Sequence, residues 1–341
     1  MNISYRTRRV FRRLGKAIVI LAIAAIVAWL CWIIWVGRYI VYTPDGAKLD
    51  FNLGDFPEGV LAVPPTDAEN VEIFYEEPQI DVTIPVVEKT SIQGYYIDFE
   101  DLKTDISAVK AKLDKLPAGT AVLLDVKNIK GYFHYSTSVG TTASKDVDTA
   151  QMDALIEYLA NSNLYTIARI PAFRDWEYGL NHVPSGLPKK DGNGSLWMDD
   201  SNCYWLDPTD EDALNYLLRI TVELRSLGFD EVVYTDFRFP NTDKIIFEGD
   251  KAQAIAEAAA ALAAACTTDR FCVSFVSTTP TFQLPEGNCR LYLQDVAAAD
   301  VETVASQVPT DDPSLHVLFM TTVNDTRFDD YCVLRPLSSA H

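Results

Sequence analysis

The sequence feature that most restricts the fold is a regular alternation of apolar, β-branched runs with amphipathic helical patterns. Eight such runs lie between residues 92 and 334, each of a length that suits a buried strand. They are Ile92–Phe99, Ala121–Val126, Tyr165–Phe173, Glu231–Phe239, Phe271–Ser277, Arg290–Val296, His316–Val323 and Tyr331–Leu334. The clearest helical patterns are Leu102–Leu116, Thr149–Asn161, Glu211–Leu227, Asp250–Cys266 and Ala298–Gln307.

Strands that alternate with helices form parallel sheets, because each helix returns the chain to the same edge of the sheet. Eight of them over about 250 residues predict a single (β/α)8 barrel of the TIM type, with a doubly wound open sheet as the alternative. The turn after the first strand has no GxGxxG motif, which weakens a nucleotide-binding version of the open sheet. Helices become shorter or absent after Cys266, so the C-terminal half of the barrel is expected to be degenerate.

The first 36 residues have the pattern of a membrane anchor. Residues 1–16 contain six basic side chains and no acid, and residues 17–36 form an unbroken apolar run that Arg38 follows. About twenty apolar residues in a helix span the hydrocarbon core of a bilayer, and Trp29, Trp32 and Trp35 suit its interface. By the positive-inside rule, we expect a cytoplasmic tail at 1–16, a single-pass transmembrane helix at 17–36 and an extracellular remainder.

A cleaved signal peptide and an Arg-rich transit peptide are the alternatives to this anchor. The apolar run is longer than that of a signal peptide, and bulky side chains occupy the place of a cleavage site. Beyond the run, residues 37–89 are rich in proline and acids and are predicted to form a stalk or an extended arm, and residues 90–338 the barrel.

Charge restricts the partners of the exported part. Without the six N-terminal basic residues, 23 basic and 48 acidic residues remain, a net charge of −25. Such a surface repels phosphate backbones and anionic headgroups, so nucleic acid is not expected as a partner and only the helix and its basic flank should touch lipid. Neutral glycans and cationic ligands are compatible with this charge.

The histidines and cysteines predict neither a cofactor nor a metal. No HxH, HExxH or CxxC spacing is present among them. The exported part carries five cysteines, which leaves open one or two disulfides, with Cys266–Cys289 as the first choice, or isolated buried thiols.

In a (β/α)8 barrel the active site lies at the carboxyl ends of the strands, so the residues there are the candidates. Acids follow strands two, four and six, and we predict catalytic roles for Asp125, Asp236 and Asp295. Charged and aromatic residues beside them are candidates for substrate binding: Lys127, His134, Arg169, Asp175, Trp176, Trp197, Trp205 and Arg238. Carboxylates ringed by aromatic side chains suit a sugar site, because paired acids cleave glycosidic bonds.

Each of these residues also has a structural interpretation. Asp125 and Lys127 could form a buried ion pair between neighbouring strands, and Asp236 could cap a helix or pair with an arginine. Asp295 could be a surface loop acid, and the tryptophans could pack the long loop after strand three onto the barrel.

The segment from Ala121 to Pro240 resembles a known family. The matching pieces, in order, are Asp125-Val126-Lys127, Ile167-Ala168-Arg169-Ile170 with Phe173 and Asp175, Leu196-Trp197 with Asp199, Trp205-Leu206-Asp207-Pro208, Leu227-Gly228-Phe229-Asp230-Glu231 and Arg238-Phe239-Pro240. They resemble the "putative glycosyl hydrolase domain" of bacterial TIM-barrel proteins, and the resemblance implies hydrolysis of a glycan. The second half of the barrel matches poorly.

Strands four and five depart from the family pattern. When Arg238-Phe239-Pro240 is aligned with the family, the acid of strand four falls on Thr235 and not on Asp236. Side chains of a strand alternate between its faces, so a slip of one residue turns the carboxylate away unless a bulge restores it. Strand five has no acid at its end.

Two functions therefore remain. The first is a glycoside hydrolase in which Asp236 is the nucleophile or base and Asp295 or Asp125 the acid. The second is an inactive barrel that binds glycans or serves as an envelope scaffold.

Overall fold

The computed structural model of the protein describes residues 40–43, 46–49, 91–142, 147–190 and 194–340. The chain divides into two compact units, Met1–Asp81 and Val82–His341. In the first unit, Ile40–Thr43 and Gly46–Leu49 pair as an antiparallel hairpin within the predicted stalk. Within the described ranges no helix has the length and apolarity needed to cross a bilayer; the predicted tail and anchor at 1–16 and 17–36 lie outside those ranges.

The second unit is a closed barrel of eight parallel strands, as predicted. The strands are β1 (Gln93–Tyr96), β2 (Ala121–Asp125), β3 (Tyr165–Pro171), β4 (Glu231–Thr235), β5 (Cys272–Ser277), β6 (Leu291–Gln294), β7 (Val317–Met320) and β8 (Cys332–Pro336). Each pairs with its neighbour in sequence, and β8 closes the barrel by pairing Val333 with Gln93 of β1. The closed order excludes the doubly wound open sheet.

Eight α-helices lie between or after the strands in the described part of the chain. They are α1 (Phe99–Thr104), α2 (Ile106–Leu113), α3 (Thr149–Ala160), α4 (Trp176–Asn181), α5 (Glu211–Ser226), α6 (Lys251–Cys266), α7 (Val301–Ser306) and α8 (Pro313–His316). The predicted helix Leu102–Leu116 is two helices, because the carboxylate of Asp105 caps α2 by accepting the N–H of Ala108 at 3.0 Å. Helices after β6 are short, which confirms the degenerate C-terminal half.

Aspartates begin the longer helices. The side chains of Asp148, Asp210 and Asp250 each accept a backbone N–H from the first turn of α3, α5 and α6. These carboxylates satisfy N–H groups that have no partner inside the helix, and they favour the positive end of its dipole. The sequence thereby fixes where each helix starts after its strand.

Alternation along the strands separates two apolar cores. In β2, Val122 and Leu124 pack against the surrounding helices, whereas Ala121 and Leu123 fill the barrel interior. In β4 the inward position is held by Val233, so the same phase places Glu231 and Thr235 inward.

A buried ion pair lies in the interior of the barrel at the end opposite the carboxyl ends of the strands. Arg290 Nη1 is 2.5 Å from Glu231 Oε2, and the two side chains are 6% and 0% exposed. The hydroxyls of Tyr165 and Tyr292 donate to the same carboxylate at 2.9 and 2.8 Å. Because the charged groups of this network have hydrogen-bond partners, the two charges can stay buried. The network lies away from the carboxyl ends of the strands, where the candidate site residues lie.

The five cysteines in the described part of the chain are buried. The described residues Cys203, Cys266, Cys272, Cys289 and Cys332 form no disulfide, so the predicted Cys266–Cys289 pair is wrong and the alternative of isolated thiols is confirmed. In a domain with this large a core, disulfides are not needed for stability.

Candidate active site

Asp236 directly follows β4 and leaves the strand in the left-handed conformation, with φ of +50°. Thr235, at the position of the family acid, keeps the inward phase of the strand and places its hydroxyl 3.5 Å from the carbonyl oxygen of Ile170. Because the backbone turns at Asp236, its side chain no longer follows the alternation of side chains between the two faces of the strand. The shift of one residue relative to the family pattern therefore does not by itself decide where this carboxylate points.

The carboxylate of Asp236 is mostly buried, with 17% of its side chain exposed, and Arg238 Nη2 is 3.8 Å from Oδ1. Burial raises the pKa of Asp236, and the negative charge of Asp199 raises it further. The cations of Arg174, Arg238 and Lys127 act in the opposite direction without reversing the shift. Asp236 therefore holds its proton more strongly than an exposed aspartic acid does.

Asp199, in the loop after β3, clamps that loop. Its Oδ2 accepts from Arg174 Nε at 2.6 Å and from Trp205 Nε1 at 3.1 Å, and its Oδ1 accepts the backbone N–H groups of Ser201 and Cys203. Burial acts to raise the pKa of Asp199, but these hydrogen bonds and the charge of Arg174 lower it overall. Both oxygens are occupied, so this carboxylate positions the loop.

The three tryptophans differ in how accessible they are. Trp205 is 3% exposed, and the guanidinium of Arg238 lies 5.0 Å from its ring centroid. Trp197 is partly exposed and lies 6.4 Å from Trp205 between ring centroids, and Trp176 is also partly exposed. Trp176 and Trp197 can offer a face to a sugar, whereas the ring of Trp205 packs the loop onto the barrel.

Asp125 ends β2 and is held by Arg169 of β3, its partner in the strand register. The guanidinium forms a two-pronged contact, with Nε–Oδ1 of 2.5 Å and Nη2–Oδ2 of 2.7 Å. Burial lowers the pKa of Arg169, but the hydrogen bond and the charge of Asp125 outweigh it and the net shift is upward. The structural interpretation of Asp125 and Lys127 as a pair is therefore wrong: Asp125 pairs with Arg169 of the neighbouring strand, and Lys127 pairs with Asp175.

A second group of polar side chains surrounds the phenol of Tyr96, at the end of β1. Burial raises the pKa of Tyr96, as do the nearby charges of Asp98 and Asp295, whereas Arg169 lowers it. Asp98 and Asp295 are both exposed, and Asp295 follows β6 with φ of +56°. Strands β1 and β6 are not adjacent in the barrel, so the charge of Asp295 acts on Tyr96 from a different part of the strand ends.

Three predicted substrate contacts are buried instead. Lys127 Nζ lies 2.6 Å from Asp175 Oδ2, and neither side chain is exposed. Asp175 also accepts from the backbone N–H of Tyr178 at 2.8 Å. His134 is 1% exposed and packs on Phe99, with 4.7 Å between ring centroids. These residues support the loops after β2 and β3, and substrate cannot reach them in this structure.

The structure thus brings Asp236, Arg238 and Trp205 together at one side of the mouth. Elsewhere it pairs Asp125 with Arg169, and the charges of Arg169 and Asp295 act on Tyr96. Sequence reasoning did not select Tyr96 or Asp98. The sequence does contain a pattern that indicates them: Tyr96 ends the first strand of the barrel and Asp98 follows it, and barrel sites lie at the strand ends. Within the described ranges, no group of three or more His, Cys, Asp or Glu side chains could hold a metal ion.

Comparison with solved structures finds several similar chains. A hypothetical protein from Ruminiclostridium thermocellum ATCC 27405 is 22% identical over 53% of this chain and 96% of that chain, with a TM-score of 0.45. The PgaB (BpsB) glycoside hydrolase domain from Bordetella bronchiseptica is 10% identical over 68% of this chain and 84% of that chain, with a TM-score of 0.47. The GH36 α-galactosidase AgaA from Geobacillus stearothermophilus is 12% identical over 73% of this chain and only 39% of that chain, with a TM-score of 0.47.

No curated protein matches the chain. A family model matches residues 112–268, a little under half of the chain, from the end of α2 to just beyond α6. The match includes Asp125, Asp199, Asp236 and Arg238, and strands β5 to β8 lie outside it. The resemblance seen in the sequence is therefore confirmed: residues 112–268 match the family described as "Putative glycosyl hydrolase domain".

Proposed function

We propose that the protein is a membrane-anchored glycoside hydrolase whose barrel lies outside the cell and cleaves a polysaccharide with two carboxylates. The observation that carries this proposal is Asp236, a mostly buried acid at the end of a barrel strand with a pKa raised by burial. A carboxyl group that keeps its proton is what a glycosidase needs to protonate the leaving oxygen.

This environment changes the role proposed for Asp236. The sequence predicts a nucleophile or base, which must be ionised, whereas burial favours the protonated form. We therefore assign Asp236 as the proton donor. Pairs of acids whose surroundings differ in this way are typical of glycosidases, in which one carboxyl donates and the other stays ionised.

The second carboxylate in this proposal is Asp295. It is exposed and directly follows the end of β6, and its charge acts on Tyr96. Asp125 is less suited to act as an acid, because both its oxygens are held by Arg169. Asp295 would attack the sugar directly in a retaining enzyme or activate a water in an inverting one.

The position outside the cell rests on the sequence. The basic residues 1–16 and the apolar run 17–36 favour an anchor with the barrel on the far side of the membrane. Protease added to intact cells should remove the barrel and leave the N-terminal tail protected. A barrel that stays resistant until the membrane is opened would contradict this placement.

The test of catalysis is a hydrolysis screen with the full-length protein in detergent against a panel of polysaccharides. Asp236→Asn and Asp295→Asn should each abolish turnover, while Asp243→Asn, an exposed acid in the loop after β4, should leave it unchanged. Turnover that survives both substitutions would refute the assignment.

The alternative, a barrel that binds glycans without cleaving them, is favoured by two observations. Thr235 occupies the position of the family acid, and no acid ends β5. Binding of a glycan without turnover, unchanged by Asp236→Asn, would establish this function.

A further inference from the structure

Beside the mouth of the barrel, two adjoining cavities of about 530 and 340 Å³ lie between the loop after β4, the start of α6 and the loop after β5. Arg238, Phe239, Lys251 and Thr278 line both of them, and we refer to the pair as the rim cavity. Cavities of this size hold a small ligand or one or two sugar residues. No predicted site residue other than Arg238 lines the rim cavity.

The lining of the rim cavity is unusual for so acidic a protein. Its charged side chains among the described residues are Arg238 and Lys251, and no carboxylate lines it. The hydroxyls of Thr242, Thr278 and Thr279 add hydrogen-bond donors. In a chain with 48 acids and 29 bases, a cavity lined by two cations and no carboxylate differs from the average composition of the protein.

Both cations are available to a ligand. Arg238 is 48% exposed, and its contact with Asp236 is loose at 3.8 Å. Lys251 is an exposed residue, and its ammonium lies 5.5 Å from the ring centroid of Phe239. The neighbouring carboxylate of Asp250 is turned to the helix backbone, where it accepts the N–H groups of Ala252 and Gln253 at 2.7 and 3.2 Å.

We propose that the rim cavity binds an anionic group on a sugar residue of the substrate. This inference rests on the proposed function. Arg238 lines the cavity and also lies beside Asp236. A sugar residue held by Arg238 would therefore lie next to the bond that is cleaved. A guanidinium beside an ammonium matches a carboxylate or a phosphate, with hydroxyls for the remaining oxygens.

The net charge of the exported part does not prevent such binding. At physiological ionic strength, exposed charges more than about 8 Å apart are largely screened, so an anionic sugar in the cavity interacts mainly with the two adjacent cations. Whole-chain charge slows the approach of an anionic polysaccharide more than it weakens the local contact.

Titration calorimetry on the full-length protein that carries Asp236→Asn tests this inference without turnover. The probes are matched pairs: oligogalacturonates with their methyl esters, and glucose 6-phosphate with glucose. We expect at least one acidic probe to bind roughly tenfold more tightly than its neutral partner, the size of one charge-assisted hydrogen bond. The two pairs distinguish a carboxylate from a phosphate ester.

Lys251→Met should reduce the affinity for that acidic probe by about tenfold and leave the neutral partner unaffected. Lys115→Met, at an exposed lysine after α2, is the matched control and should change neither. Equal affinity for both members of every pair, binding of no acidic probe, or the same loss with both lysine variants would overturn the inference. If Lys251→Met destabilises the fold, Lys251→Gln provides the same test.

The failure of this inference can be told apart from the failure of the proposed function. If the protein hydrolyses neutral glycans and does not prefer acidic probes, the proposed function stands and the inference fails. If it prefers acidic probes and hydrolyses no glycan, the inference that the cavity binds an anionic group stands and the proposed function fails.

Discussion

Asp236 and Asp295 share one backbone conformation: each follows the last residue of its strand with a positive φ, of +50° and +56°. Among the described non-glycine residues only Asn202 joins them. Left-handed backbone costs energy for residues other than glycine, and aspartate and asparagine tolerate it best. Such strain is concentrated at functional sites, and here it falls on the two acids assigned to catalysis.

Asp236→Asn should make the protein more stable at neutral pH. The folded pKa of Asp236 is raised above its unfolded value, so the ionised side chain destabilises the fold. This penalty is absent below the unfolded pKa of about 3.9, grows as pH rises through the folded pKa and is complete above it. Asparagine avoids the charge and accepts the same left-handed backbone.

Urea unfolding at pH 7 and again below the unfolded pKa measures this effect, with Asp243→Asn as the exposed control. The variant should exceed the natural protein in unfolding free energy at pH 7, and the difference should disappear in acid. A loss of stability at pH 7 would mean that the pairing with Arg238 outweighs the cost of burying the carboxylate.

Arg238→Gln should move the pH profile of the enzyme. If Asp236 is the proton donor, the alkaline limb of kcat/KM follows its pKa in the free enzyme. The charge of Arg238 lowers that pKa, so its removal should shift the limb to higher pH. The shift of the limb should be small, because a half-exposed arginine is screened by solvent.

The control is Arg327→Gln, at an exposed arginine paired with Asp325. It should leave the profile unchanged. An alkaline limb that moves to lower pH, or stays in place with Arg238→Gln, would show that a group other than Asp236 donates the proton.

Asp125→Asn and Asp295→Asn should separate stability from activity. The first breaks a two-pronged pair in which both side chains are only about a fifth exposed, which should cost about 1.5–3 kcal/mol of unfolding free energy. The second alters an exposed acid and should stay within about 0.5 kcal/mol while turnover is lost. Chemical denaturation and initial rates measure both, and the reverse pattern would assign to Asp125 the role of nucleophile or base proposed for Asp295.

The barrel could be predicted from the sequence because strands in a parallel barrel are buried on both faces. Continuous apolar runs such as Ala121–Leu124 are therefore visible without tertiary information. The break between α1 and α2 was missed, since Asp105 sits within an otherwise regular helical pattern and its capping role depends on the local backbone.

Positions at strand ends could also be predicted, but not their partners. The sequence places Asp125 at the carboxyl end of β2, and only the register with β3 shows that Arg169 occupies both its oxygens. Likewise Trp205 is an aromatic residue of the kind that stacks on sugars, but its burial beneath Arg238 depends on the path of the loop. Side-chain pairing between distant segments has no periodic signal in the sequence.

Glu223→Gln should weaken the fold in a pH-dependent way. The carboxylate of Glu223 on α5 accepts hydrogen bonds from Tyr135, Thr137 and Ser138 in the loop after β2. Burial acts to raise the pKa of Glu223, but these bonds lower it overall. The stabilisation is therefore complete above the unfolded pKa of about 4.3 and is lost as pH falls through the folded pKa.

Thermal unfolding at pH 7 and in acid checks this prediction. The variant should have a lower Tm at pH 7, and the gap should narrow as pH falls. Glu157→Gln, an exposed acid on α3, should behave like the natural protein at both values. A gap that is constant with pH would show that the loop is held by packing.

The buried pair of Glu231 and Arg290 should be the most sensitive site in the barrel. Glu231→Gln removes the negative charge and leaves the Arg290 cation in the interior, which should cost about 3–5 kcal/mol. That is a large part of the total stability of a domain, typically 5–15 kcal/mol. Urea unfolding measures the loss.

Replacing both members with methionine should restore part of this loss, because an apolar pair carries no desolvation cost. Recovery should be incomplete, since the hydroxyls of Tyr165 and Tyr292 would lose their acceptor in the interior. Adding Tyr165→Phe and Tyr292→Phe should therefore raise the unfolding free energy further. If the fourfold variant is no more stable than Glu231→Gln, the network supplies packing that methionine and phenylalanine cannot replace, and its charge is not what makes the site sensitive.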